Sequence, residues 1–196
     1  MMARWEGNAR GRLERAALDL FLEQGYDHTT IAQITQRANL TERSFYRWFS
    51  DKREVLFDGE GLEMRFVSAI EASPADCPVL TTLLAAFAIA PEALRPRVFL
   101  RERATVIAAN PPLLERELMK LASLSEALTA ALVRRGHDRQ TSRLAVDVAV
   151  AVLRLATERW VVDDHADFAH MLSESAVDLH AVTAVDVDES TPTTQR

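Results

Sequence analysis

Apolar residues near the start of the chain return at helical spacing. Leu13, Ala16, Ala17, Leu20 and Phe21 fall at i, i+3, i+4, i+7 and i+8, which predicts one buried stripe on a helix over residues 9–24. Arg10, Arg12, Glu14, Arg15, Asp19 and Glu23 take the other faces, and Gly25 is a stop that tolerates positive φ. Thr30 to Gln33 fits a capping box that opens a second, short helix with Ile31, Ile34 and Ala38 on its buried side. Ala38-Asn39-Leu40 reads as a tight turn, and Thr41 caps a third helix over 42–49. Asp51, with Glu54 three residues on, can cap a fourth.

Two short helices joined by a tight turn behind a supporting helix make a helix-turn-helix. At 100° per residue, Phe45 and Phe49 share one side of the third helix, while Arg43, Tyr46 and Arg47 cluster on the other with Trp48 between. An aromatic anchor beneath two guanidinium groups and a phenol suits a helix lying in a major groove. Thr41 and Ser44 add hydroxyls at its N-terminal end.

The rest of the chain also reads as helix. A long helix is expected over 52–72, with Val55, Leu56, Leu62, Phe66 and Ile70 inward; Gly59 and Gly61 lie within it, either for close packing or as a hinge. After the break at 73–78, helices are expected at about 79–90, 95–109, 111–135, 141–161 and 167–182, with Pro91, Pro96, Pro111-Pro112 and Gly136 at the joints. Val146, Val148, Val150 and Val152 alternate as in a strand, but the span from Thr141 to Val161 has neither Gly nor Pro and reads as helix. That helix is apolar almost all round, so it needs cover on two sides: its own domain and a partner. Phe168, Met171, Leu172, Ala176 and Leu179 form the buried side of the next helix. The acidic, Thr- and Pro-containing residues 183–196 read as a disordered tail.

Charge divides along the same line. Of 23 Lys/Arg and 29 Asp/Glu, residues 1–57 hold nine and eight, leaving the remainder strongly acidic. A net charge of −6 does not exclude nucleic acid, because basic groups can gather on one face. The single Cys77 excludes an internal disulfide and a cysteine zinc site, and fits a reduced, cytoplasmic compartment. No apolar run has the length of a membrane span.

The stretch LERAALDLFLEQGYDHTTIAQITQRANLTERSFYRWFSDKREVLF, residues 13–57, resembles the DNA-binding domain of the TetR family of bacterial transcriptional regulators. The resemblance is carried by AALDLF, Gly25-Tyr26-Asp27, Thr29-Thr30-Ile31, the Ile34…Ala38…Leu40 spacing, the run from Ser44 to Phe49, and Asp51-Lys52-Arg53-Glu54. Asn39 stands where the family usually has Gly, and Arg43 where a small residue is common. The resemblance implies an all-α fold: a three-helix head at 1–57, joined by a long helix to a ligand-binding and dimerisation domain at 58–182. It also implies a four-helix bundle formed by the helices near 141–161 and 167–182 with their copies in a homodimer. By analogy Thr29, Thr30, Trp48 and Lys52 meet phosphates, beside Thr41, Arg43, Ser44, Tyr46 and Arg47 in the groove. The implied partners are a double-stranded, palindromic operator and a small-molecule effector that releases a repressor from it.

Rival chemistry is sparse. No phosphate loop, nucleophile elbow or HExxH is present, so an enzyme is not expected. Neither a cofactor nor a metal is expected: Asp163, Asp164, His165, Asp167 and His170 read as a solvated helix cap. Arg95, Arg97, Arg101 and Arg103 form either a salt-bridged face or the seat of an anionic effector. Arg101-Glu102-Arg103, Asn110-Pro111-Pro112-Leu113 and Ala156…Trp160 are similar to a family subgroup described as having an acyl-CoA-like ligand-binding domain. Candidate pocket residues are Phe87, Phe99, Arg103, Val106, Leu118, Met119 and Trp160. The alternative to a regulator is a helical dimeric interaction protein without specific operator binding.

Overall fold

The computed structural model describes residues 9–57 and 61–183, and all regular structure among them is helical. The order is α1 (Ala9–Gln24), α2 (Ile31–Arg37), α3 (Glu42–Trp48), a 3-10 turn (Glu54–Leu56), α4 (Leu62–Ala72), α5 (Val79–Phe87), a second 3-10 turn (Ala90–Glu92), α6 (Arg97–Ala108), α7 (Pro111–Arg134), α8 (Arg139–Val162) and α9 (Phe168–Thr183).

Two apolar clusters organise these elements. The first gathers Leu13, Ala17, Leu18 and Phe21 of α1, Ile34, Phe45 and Phe49, with Val55, Leu56 and Phe57. It also takes in Val106 and Ile107 of α6 and Leu113 of α7, so the head closes its core with body residues. The second joins Phe66 and Ile70 of α4, Leu83 and Phe87 of α5, Leu128 and Leu132 of α7, Val146, Val150 and Trp160 of α8, and Phe168 and Leu172 of α9. Edge-to-face pairs stiffen it: Phe66 with Phe87 at 5.0 Å and Trp160 with Phe168 at 5.5 Å.

Helix α1 is buried more widely than its stripe suggests. Glu14 and Leu18 are both buried, on a flank about 100–140° from Leu13. That flank meets the body: Glu14 pairs with Arg95, and Arg15 with Glu102 at 2.5 Å. In α8 the alternating valines are helical, with Val146, Val150 and Val152 buried and Val148 half-buried.

The segment 52–72 is not one helix. A 3-10 turn ends at Leu56, and α4 starts at Leu62 with Gly61 as its N-cap in the left-handed region, φ 68°. Gly61 therefore costs nothing as an interior helical residue; its role is to start a helix. Gly59 and the expected tail beyond Thr183 lie outside the described residues.

The turn at Glu54–Leu56 is tied to α7. Glu54 accepts from the Arg116 guanidinium and lies 3.5 Å from the Lys120 ammonium. The bond from Arg116 holds the Glu54 carboxyl below its usual range, against burial, with Lys120 adding to the effect. A depressed carboxylate stabilises the fold fully above its unfolded value and loses that contribution as pH falls through the folded value. Glu54→Gln should therefore lower stability by about 1–3 kcal/mol at neutral pH. In urea titrations that gap should be full at neutral pH and close in the acid range as Glu54 of the parent protonates.

Candidate nucleic-acid interface

The three head helices are fixed by local chemistry at each end. Gly25 closes α1 at φ 85°, its N–H donating to Phe21. At the start of α2 the Thr30 hydroxyl accepts from the Gln33 N–H at 3.2 Å, while the Gln33 side chain accepts from the Thr30 N–H at 2.8 Å. This reciprocal capping box satisfies two otherwise orphaned donors. The turn between α2 and α3 places Asn39 at φ 50°, the only non-glycine residue with positive φ among the described residues. The Leu40 N–H reaches back to Thr35 at 2.9 Å. Thr41 then caps α3, accepting from the Ser44 N–H at 3.2 Å.

Helix α3 is held from below. Phe45 and Phe49 are buried, with ring centroids 5.3 Å apart. Their burial turns Arg43, Tyr46 and Arg47 outward; all three are exposed. Tyr46, 56% exposed, meets the Phe45 ring edge-to-face with centroids 5.6 Å apart. The Arg47 guanidinium lies over the Trp48 ring at 5.4 Å. Thr41 is exposed and Ser44 half-buried, with their hydroxyl oxygens 3.1 Å apart at the cap. The result is a short helix with a rigid apolar underside and an outer face of two guanidinium groups and a phenol.

Two expected phosphate contacts occupy structural positions instead. Thr29 is 1% exposed, and its hydroxyl donates to the Gly25 carbonyl at 2.8 Å. The Lys52 ammonium donates to the carbonyls of Tyr26 at 2.6 Å and Thr29 at 2.8 Å, and sits 4.0 Å above the Tyr26 ring. Burial pushes its pKa down. Lys52 thus braces the corner before α2, bridging two loop carbonyls, one of which also accepts from the Thr29 N–H. Trp48 is half-buried with its indole nitrogen enclosed, so it presents no donor to a phosphate; Thr30 is exposed, its hydroxyl held in the capping box. Arg12 of α1 was not foreseen as part of this region. Its guanidinium donates to the carbonyls of Ala38 and Asn39, closing the end of α2 and supporting the strained turn. It is 26 residues from Ala38, and no local pattern marks that pairing.

The arginines near α6 are likewise engaged. Arg95 pairs with Glu14, Arg97 donates to the carbonyls of Asp163 and Ala166, and Arg101 donates to Val161 and pairs with Asp164. Arg103 donates to Leu56 at 2.7 Å and to Glu117 at 3.1 Å. They form a salt-bridged and carbonyl-capping set rather than an open anion seat. The acids after α8 act as caps, as expected: Asp163 accepts from the His165 N–H and Asp167 from the His170 N–H. Among the described residues no group of three or more His, Cys, Asp or Glu comes together to hold a metal.

The candidate pocket set separates in space. Phe87, Val106 and Trp160 are core residues, whereas Leu118 and Met119 face outward on α7, each more than half exposed. Phe99 and Arg103 do line a cleft, of about 210 Å³, together with Leu56, Leu62, Leu94 and Leu100. It lies between head and body, closed on one side by Glu14 and Arg95. Sequence spacing placed Leu118 and Met119 inward because α7 offers apolar residues on more faces than it buries.

Comparison with known proteins agrees with this geometry. The family model for bacterial regulatory proteins of the tetR family matches residues 14–58. The transcriptional regulator TcmR of Streptomyces glaucescens is 35% identical over 141 residues, which are 71% of this chain and 58% of TcmR. The chain thus spans less than two thirds of that relative's length, and about a fifth of the Bacillus subtilis regulator YdeS, to which it is 42% identical over 43 residues. In fold it is similar to NalD, a repressor of a multidrug efflux pump in Pseudomonas aeruginosa, with a TM-score of 0.56 over 89% of this chain and 96% of that one at 17% identity. It is similar also to Thermus thermophilus FadR, a repressor solved with lauroyl-CoA, with a TM-score of 0.52 over 95% of this chain and all of that one at 22% identity. The capped helix-turn-helix over residues 14–58 is thus that of the tetR family of bacterial regulatory proteins, and the all-helical body behind it shares the fold of NalD and of the Thermus regulator.

Proposed function

We propose that the chain is a ligand-responsive DNA-binding regulator, most simply a cytoplasmic repressor, that binds a palindromic operator as a homodimer. The observation that carries this reading is the outward row Arg43, Tyr46 and Arg47 on a helix whose underside is fixed by Phe45 and Phe49. Arg43 and Arg47 read base edges, while Tyr46, Thr41 and Ser44 meet the backbone. Thr30, Thr29, Trp48 and Lys52 support the geometry more than they touch phosphate. We assign residues 1–57 to the DNA-binding head and 58–182 to the ligand-binding and dimerisation body.

Pairing through α8 and α9 is supported by what α8 leaves uncovered. Leu144 and Val162 are 67% and 77% exposed, and Ala151 between them is exposed too. On α9, Val177 and Val182 are 66% and 76% exposed. Exposed large apolar residues on two adjacent helices suit a two-fold partner of the same sequence. A two-fold pair presents its two copies of α3 to half-sites ~34–36 Å apart, one turn of duplex.

The effector is a small molecule held in the cleft between head and body, where Phe99 and Arg103 face Leu62 and Leu94. Its volume of about 210 Å³ falls below the ~300–1,000 Å³ of sites for drug-sized ligands. A small, largely apolar molecule fits that space better than a whole acyl-CoA such as the one bound to the Thermus regulator. A ligand wedged there favours another head position and lowers operator affinity by linkage.

Selection of bound sequences from a random DNA pool tests the regulator reading, and a pool with no enriched, two-fold site would favour the interaction-protein alternative. On the selected operator, Arg47→Ala should weaken binding by ~1–3 kcal/mol and relax preference at one position per half-site; a loss equal on all sequences would make Arg47 a phosphate contact. Lys52→Met should lower the melting temperature yet change the salt slope of binding by less than one counterion, because its ammonium already serves two carbonyls. Calorimetry with small aromatic and short-chain compounds should give heat that Leu94→Trp, which fills the cleft, abolishes, and heat only with intact acyl-CoA would overturn the cleft assignment.

A further inference from the structure

Helix α6 is gripped on two opposite faces. With Arg97 set at 0°, Arg101 lies at about 40°, while Glu102, Val106, Phe99 and Arg103 fall between about 140° and 240°. The second group faces the head. Glu102 pairs with Arg15 of α1, whose guanidinium also lies 5.8 Å from the Phe99 ring. Arg103 donates to Leu56 and sits 4.9 Å over Phe57, and Val106 is buried in the head's apolar cluster. The first group faces the end of α8. Arg97 donates to Asp163 and Ala166 and lies 4.3 Å over the Trp160 ring. Arg101 donates to the Val161 carbonyl at 2.6 Å and pairs with Asp164 at 2.9 Å.

The carbonyls at a helix C-terminus carry partial negative charge and lack helical partners, so two guanidinium groups there form a directional clamp. The clamp closes on the residue next to Val162, at the end of the exposed stripe through which two copies pair. Head and pairing helix are therefore joined through one rigid element, with polar contacts of fixed geometry on both sides.

We propose that Arg97 and Arg101 are positioning residues for DNA binding: by clamping α6 to the end of α8, they set the distance between the two heads of a subunit pair. This rests on the reading that two copies pair through α8 and α9 and bind an operator. The head's own packing orients α3 within one subunit, but it cannot fix a distance measured between subunits. The arginines at 97 and 101 act at the joint where a small rotation of α6 moves the head relative to the two-fold axis.

The experiment places a spin label at Leu22→Cys in a Cys77→Ser background of the full chain and measures the label-to-label distance in the dimer. The parent gives one narrow distribution. Arg97→Met/Arg101→Met broadens it, and so does Glu102→Gln/Arg15→Met on the opposite face. On DNA, the preference of Arg97→Met/Arg101→Met for the selected operator over operators one base pair longer or shorter falls at least about fivefold, while affinity for an isolated half-site is unchanged. A folded, paired variant with parental width and parental spacing preference overturns the proposal. A parent with no intermolecular distance removes the pairing and the proposal together. A paired parent that selects no DNA removes the DNA reading alone, and the distances still decide the coupling. Should the double variant be insoluble, Arg101→Lys, which keeps the charge but loses the planar fork, is measured in its place against the same two outcomes.

Discussion

The burial of Phe45 and Phe49 against α1 is the constraint from which the recognition surface follows. A seven-residue helix has too few internal hydrogen bonds to be stable alone. It persists because its aromatic side is packed into the core of the head and its first turn is capped by Thr41. With that side fixed, the helical period dictates that Arg43, Tyr46 and Arg47 face away from the protein. Their exposure is a consequence of packing, and their charge is what the packing displays.

That small core is not self-sufficient. Three of its apolar members, Val106, Ile107 and Leu113, come from the body, and Glu14 and Arg15 of α1 find their charge partners in or just before α6. A head whose core is completed by another unit cannot rotate freely on a linker. Its position is part of the packing of α6, the helix that also caps α8. The proposed regulator would need this kind of mechanical continuity, since an effector that contacts only one region must still alter the pose of another.

Cationic side chains do most of the joining. Lys52 and Arg12 hold turns in the head, Arg103 and Arg116 hold the 3-10 turn, and Arg97, Arg101 and Arg135 cap carbonyls in the body. A long, forked donor can reach carbonyls that no backbone group can, and its stem covers apolar surface on the way. This explains why an acidic protein places many of its arginines in structural contacts and keeps few of them for the outer face of α3.

The helices, their caps and the helix-turn-helix of the head are legible in the residues alone. These depend on neighbours within four residues: the Thr30–Gln33 box, Gly25, Asn39 in the left-handed region, Thr41, and the opposition of Phe45 and Phe49 to Arg43, Tyr46 and Arg47. Tertiary structure alone decided which cations were available. Lys52 and the arginines near α6 look like surface groups in one dimension, because most of their partners lie 23 to 81 residues away. It also broke the expected long helix at Gly61 and turned Leu118 and Met119 outward. Side-chain period fixes a face, but only the position of the neighbouring helices fixes what that face meets.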